Sequence, residues 1–448
     1  MNAFRPYLTC VVLLGLPFCV DAEGTPRPAS GKTKTVTVGG VKIDPASPPE
    51  GIALHPEIEI LAAEAVEAKV LFHGKGKVVW VPRATITPKG DYLILFPEGK
   101  GRHYQGKRML ALRSSDKGKT WTGPTVAFDS SQSHHGFVPL IPRGSKRIYA
   151  FGTQPLPGTR EGPENCPIGF RWSDDDGHTW SDVTLIRPEN DPEFKGMSCV
   201  RMCETDKGTW LIGSHNGTDY GKSKKGPLRS HQYILRSEDR GKTWQLLPEK
   251  RPGGWCVEEY DRMDEGTLVN LGGGNVLLAV RTPEGHIWES RSDDDGKTWT
   301  DPKPTTLVHP DAPPMIFHLG DGETLIAFIH NRYNPKRPHF DKAARNEVWC
   351  SISKDDGRNW TGPRFVFAGA TPGGHIHSCS YIDLFADGSR IHLFLGKDRR
   401  QLLYLRFDES DLPSFLTKAE LAAAGTGRSG GNEGCRTGAS MTYGQEPH

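Results

Sequence analysis

Five copies of one eight-residue pattern, Ser-x-Asp-x-Gly-x-Thr-Trp in four cases and ending Asn-Trp in the fifth, close at Trp121, Trp180, Trp244, Trp299 and Trp360. The tryptophans are 59, 64, 55 and 61 residues apart, enough for a four-stranded antiparallel unit with its loops between each pair. Within a copy the Asp side chain can accept backbone N–H bonds and the Gly can take positive φ, which is the chemistry of a tight turn. The Trp then packs beside that turn. Burying one such ring removes about 150–250 Å² from water, worth several kcal/mol at ~25 cal/mol/Å², so the boxes are structural and no catalytic residue is assigned to them.

A looser repeat, turn residues followed by an apolar strand, recurs at Gly90-Asp91, Gly144-Ser145, Gly208-Thr209, Gly274-Asn275, Asp321-Gly322 and Asp387-Gly388. Six hairpins stand against five boxes. The sixth unit lacks a box because the chain leaves it near Phe407, and its outer strand must come from elsewhere. The segment 58–71, ahead of the first hairpin, is the expected donor. Radial repetition closed by the N-terminal strand removes exposed sheet edges. The expectation is an all-β protein, a six-bladed β-propeller over residues 51–410.

Composition agrees and narrows the partners. Gly 52 and Pro 35 in 448 residues favour turns over long helices, and a net charge of +2 gives no bulk attraction to nucleic acid or an anionic membrane. Arg5 ahead of an apolar run over 8–20, with Val20-Asp21-Ala22 after it, reads as a signal peptide over 1–22 cleaved after Ala22, hence a secreted or periplasmic protein. No later stretch reaches the ~18 apolar residues of a membrane span, so no membrane insertion is expected. Residues 23–50 read as a linker, and 411–448 as a short helix over 414–423, capped by Ser414, with a disordered tail. Seven cysteines remain after cleavage, too scattered for a disulfide framework, and no pair has Cys-x-x-Cys zinc spacing. No metal and no cofactor are implied, and the chain is expected to be a monomer.

Five such boxes in six blades resemble the exo-sialidase (neuraminidase) superfamily of Asp-box propellers. That resemblance implies three arginines around a substrate carboxylate, a Glu activating a Tyr nucleophile, and an Asp of the first blade as acid/base. In blade 4, Asp264-Glu265-Gly266-Thr267-Leu268 leads to Ala279-Val280-Arg281, with Glu265 and Arg281 sixteen residues apart as in the family. In blade 1, Arg83 follows Pro82, where the family places its Arg two residues before the Pro. In blade 5, Arg332 or Arg345 supplies the third arginine, Arg345 lying closer to the family spacing. In blade 6, Tyr381 lies two residues beyond the family's Tyr position, on the same side of a strand. Where the family has its acid Asp, residues 98–107 contain no Asp; His103 or Tyr104 takes the place, and His103 is the candidate acid/base.

The residues themselves leave other readings open. His134, His135, His215, His330, His375 and His377 fall at blade openings and strand ends that converge on one end of the funnel. His135 and His377 are expected to line a glycan. The leading expectation is release of a terminal sialic acid or related acidic sugar with retention of configuration. The alternatives are cleavage of another acidic glycan with histidine acid/base chemistry, and a propeller that binds carbohydrate without turnover.

Overall fold

The computed structural model describes residues 35–100, 105–129, 136–153, 166–197, 201–217, 229–339, 344–369, 379 and 381–426. Six antiparallel sheets form the blades of a propeller. Their innermost strands are Arg83–Ile86, Val138–Leu140, Met202–Glu204, Asp264–Gly272, Met315–His318 and Asp383–Asp387, and each pairs with the strand that follows it in sequence. Each second strand is sandwiched between neighbouring blades, so it reads as a continuous apolar run instead of an alternation. Asn275–Arg281 is buried at six consecutive positions. The core lies between blades. Leu93 and Leu95 of blade 1 meet Ile148 and Ala150 of blade 2 in one cluster, and Tyr92 and Phe96 of blade 1 meet Phe394 and Tyr404 of blade 6 in another.

The five boxes share one geometry. The Ser hydroxyl accepts the Gly N–H at 2.7–2.8 Å in every copy. The Asp carboxylate accepts both the backbone and the side chain of the penultimate residue, for example Thr298 on Asp294 at 2.8 and 2.6 Å. Gly and the residue before it are both left-handed in each box, as at Asp176 and Gly177. At Gly177 a Cβ would come within 2.8 Å of Leu93, so the neighbouring blade also requires a glycine there. The Trp rings pack against the preceding blade; Trp180 lies edge-on to Phe128, and its indole N–H donates to the Gly177 carbonyl at 3.0 Å.

Closure of the ring differs in register from the sequence expectation. Glu67–His73 is the outer strand of blade 6, paired with Gln401–Asp408. The earlier part of the 58–71 segment goes to blade 5, where Ile60–Ala63 pairs with Arg364–Gly369 and is itself covered by Ile52–His55. Left-handed backbone at Glu59 and a turn after Ala63 divide what reads as one apolar stretch.

Residues 36–43, inside the expected linker, form a two-stranded hairpin. Val36, Val38 and Ile43 are buried with Leu421 and Trp349, because this short sequence alternates apolar and polar side chains. The terminal helix is Lys418–Thr426. Thr417, not Ser414, caps it, exchanging hydrogen bonds with Glu420 in a capping box. No helix among the described residues is long and apolar enough to cross a membrane.

Candidate functional site

The innermost strand of blade 4 carries a β-bulge between its Asp264–Arg281 and Thr267–Ala279 pairs. A bulge re-aims a side chain at the end of a ladder, and here it lifts Glu265 out of register with left-handed backbone, φ 51°. Blade 3 fixes the distortion. The Glu265 N–H donates to His215 Nδ1 at 3.1 Å, and the Gly266 N–H to Gln232 Oε1 at 2.9 Å. Gln232 lies so close that a Cβ on residue 266 would sit 2.8 Å from it. The acceptor role of His215 Nδ1 puts its proton on Nε2.

Tyr381 precedes the innermost strand of blade 6, also left-handed at φ 61°. Such backbone in bulky non-glycine residues costs of order 1–3 kcal/mol and is held only where surroundings enforce it. The Tyr381 hydroxyl donates to Glu265 Oε1 at 2.7 Å. Its ring meets Trp80 edge-on at 4.9 Å, and the Arg399 guanidinium lies 4.2 Å from the centre of the same indole. Burial and the facing Glu265 hold the phenol well above its usual range, while Arg281 and Arg345 pull the other way.

The second carboxylate oxygen of Glu265 accepts Arg281 Nη1 at 2.5 Å. Arg281 Nε reaches Asp311 Oδ1 at 2.7 Å. Arg262 joins Asp311 at 3.1 Å and Asp264 at 2.9 Å. Burial works against the charge on Arg281, but Asp311, Glu265 and Asp264 override it and raise its pKa. Asp311 is likewise kept ionised, its burial outweighed by Arg262 and Arg281. Arg345, 2% exposed, donates to the Asp311 carbonyl. Its pKa is lowered first by burial and then by the charge of Arg281. Arg281 thus has its charge matched by carboxylates, whereas Arg345 is the guanidinium of this cluster whose charge is disfavoured and that an added anion would stabilise.

The structure thus brings Glu265, Arg281, Tyr381 and Arg345 together. Arg83 is buried at 1% on the innermost strand of blade 1, three residues after Trp80. Arg332 is exposed, so the blade 5 arginine at this centre is Arg345. His330 is buried, stacks on His309 at 5.1 Å and bonds the Glu347 carbonyl at 2.8 Å; burial pushes its pKa down to about 3, which makes it a neutral packing group. His103, Tyr104, His134, His135, His375 and His377 lie outside the described residues. Sequence reasoning missed Trp80, Arg262 and Asp311. The pattern Arg262-x-Asp264-Glu265 at a strand start is the available signal for Arg262, whereas Trp80 meets Tyr381 and Asp311 meets Arg262 far along the chain and neither leaves a local trace.

The BNR repeat-like domain model matches residues 57–252 and 132–393. No curated protein matches the chain in sequence. Among solved structures, a protein of unknown function from Dyadobacter fermentans superposes with a TM-score of 0.56 at 15% identity, covering 77% of this chain and 100% of that one. The NanB sialidase from Streptococcus pneumoniae gives 0.56 at 12% identity, with 77% and 71% covered. A Trypanosoma rangeli sialidase, solved with 2,3-difluorosialic acid as a covalent intermediate, gives 0.54 at 14%, with 79% and 60% covered. At these identities the likeness is one of fold. On the extent of the repeat-domain match, which agrees with the six blades and their boxes, the chain belongs to the family of the BNR repeat-like domain.

Proposed function

We propose that this protein is an exported sialidase-like glycoside hydrolase that releases a terminal sugar bearing a carboxylate beside its anomeric carbon. The observation that carries the reading is the 2.7 Å hydrogen bond from Tyr381 to Glu265, with Arg281 on the other oxygen of the same carboxylate. A carboxylate nucleophile would be repelled by an anionic substrate, whereas a neutral phenol is not. The phenol is protonated at rest, so its proton passes to Glu265 as the phenol oxygen bonds to the anomeric carbon and the glycosidic C–O bond breaks. Water then attacks the glycosyl–tyrosine and gives a proton to the group that protonated the leaving oxygen, Glu265 returns its proton to the phenol oxygen, and configuration is retained. Arg281, Arg345 and Arg83 are the proposed carboxylate partners, a planar, bidentate recognition that lysine does not reproduce. His103 is the proposed acid for the leaving oxygen.

A second acidic-glycan reading rests on a cleft of about 1130 Å³ at the turn 397–401, lined by Lys75, Lys77, Lys397, Arg399 and Arg400 together with Glu57, Glu59 and Asp398. Its basic side chains suit a substrate carrying several anionic sugars. Turnover of a fluorogenic sialoside, compared with uronate-containing oligosaccharides and with binding on a glycan array, separates the readings. Release of the fluorophore supports the sialidase, turnover of uronates alone supports the other acidic glycan, and binding without turnover removes the enzymatic reading.

A further inference from the structure

A second constellation, separate from the tyrosine centre, lies where the third strand of blade 3 meets the segment leading into blade 4. Gln232 and Trp255 exchange backbone hydrogen bonds at 2.9 and 3.0 Å. In an antiparallel pair the next residues, His231 and Cys256, therefore face each other directly. The Asp261 carbonyl accepts the Ser230 N–H at 3.2 Å, which brings Asp261 to the same spot. Its carboxylate lies 2.8 Å from His231 Nε2. One nitrogen, one sulfur and one oxygen of these three residues fall within 4.8 Å of one another, and all three side chains are partly open to solvent.

We propose that His231, Cys256 and Asp261 bind a borderline-soft divalent cation, Zn²⁺ in the first instance. Imidazole, thiolate and carboxylate together match zinc, and their combined charge of about −2 balances it. Calcium and magnesium, which take oxygen ligands, do not fit the sulfur and the imidazole. On binding, the Cys256 thiol releases its proton to solvent, and His231 moves its ring proton to Nδ1 so that Nε2 coordinates the metal. The fourth position is left for water. Arg229, whose Nε is 3.4 Å from Asp261, is the cation that competes for this carboxylate, and it is exposed.

The site has a mechanical consequence. Segment 255–261 runs directly into Arg262, Asp264 and Glu265, and the Val257 N–H donates to the Arg262 carbonyl at 3.3 Å. A metal pinning Cys256 and Asp261 to His231 of blade 3 would fix the strand entry that carries the candidate base. The role is structural, and it stands whether or not the chain is a glycosidase.

The test uses the full chain, stripped with chelator and kept reduced. Titration with Co²⁺ should give a thiolate-to-cobalt band in the near ultraviolet that saturates at one equivalent and is displaced by Zn²⁺, and Zn²⁺ should raise the melting temperature. Cys256→Ser should abolish the band. His231→Gln should weaken Zn²⁺ binding by roughly tenfold or more, since even a lost outer partner of a metal ligand costs that much. Absence of the band, or Zn²⁺ affinity unchanged in both variants, overturns the site. Should Cys256→Ser fail to fold in chelator, the His231→Gln affinity decides alone.

Discussion

The phenol of Tyr381 and the carboxylate of Glu265 meet at 2.7 Å across 116 residues of chain, each carried by left-handed backbone at the entrance to an innermost strand. Strain at both partners of one contact is costly unless the surroundings impose it. His215, Gln232 and Trp80 are the side chains that do so here. In the proposed reaction the contact also sets the order of events, because a phenol held protonated by burial and by Glu265 would attack only as it gives up its proton.

Glu265→Gln should lower kcat by about 10²–10⁴-fold, the range for loss of a positioned proton acceptor. Tyr381→Phe, which keeps the ring against Trp80, should lower it at least as far. Both should retain the wild-type circular dichroism spectrum. Steady-state kinetics on an aryl sialoside reads the effect, and a Tyr381→Phe enzyme with wild-type kcat would remove Tyr381 as nucleophile.

Arg281→Met should destabilise the fold by about 3–5 kcal/mol, because it leaves the buried carboxylates of Glu265 and Asp311 without their shared cation. Arg281→Lys keeps a charge and should cost less stability while raising KM. Denaturant midpoints and KM values check both. Equal stability of Met and wild type would show that the network does not depend on this guanidinium.

Much of this architecture is readable in the sequence because it is local. Box spacing counts blades, and the sixteen residues from Glu265 to Arg281 reflect a hairpin in which Asp264 pairs with Arg281. The same locality explains the failures. The run from Ile58 to Ala63 is apolar whichever blade it joins, so its assignment to blade 5 is set by the turn that follows it. Strand parity points to Tyr381 in the sequence, yet the residue sits in left-handed backbone outside the strand, and its meeting with Glu265 follows from that local geometry. Asp311 and Trp80 act through partners far along the chain, which no spacing rule records.

Acid should weaken the boxes in a defined window. Hydrogen bonds from Thr120 and Ser114 lower Asp116 to about 2, and Asp294 and Asp355 are likewise held at about 2 against an ordinary value of 3.8. For Asp294, burial opposes the shift and Thr298 overrides it. A folded-state pKa below the unfolded one means that this stabilisation is complete above about pH 4 and is lost as pH falls through about 2. Melting temperatures measured from pH 5 to 2 should fall in that window, and Asp116→Asn should be less stable than wild type at pH 5 with a shallower decline. An identical profile would exclude the box carboxylate as a source of acid lability.

His103→Ala should slow natural sialosides far more than aryl sialosides, since a phenol leaving group departs with little protonation. The ratio of kcat/KM values on the two substrate types is the readout. Equal losses, or none, would exclude His103 as the acid.

The most direct test of the account is covalent trapping. Incubation with 2,3-difluorosialic acid, the compound seen as a covalent intermediate in the Trypanosoma rangeli sialidase, should add one glycosyl mass to the intact protein. Peptide mapping should place it on Tyr381, and neither Tyr381→Phe nor Glu265→Gln should accumulate it at the wild-type rate. An unmodified protein under conditions that label a known sialidase, or an adduct on any other residue, would contradict the assignment of Tyr381 as the nucleophile of a sialic-acid-cleaving propeller.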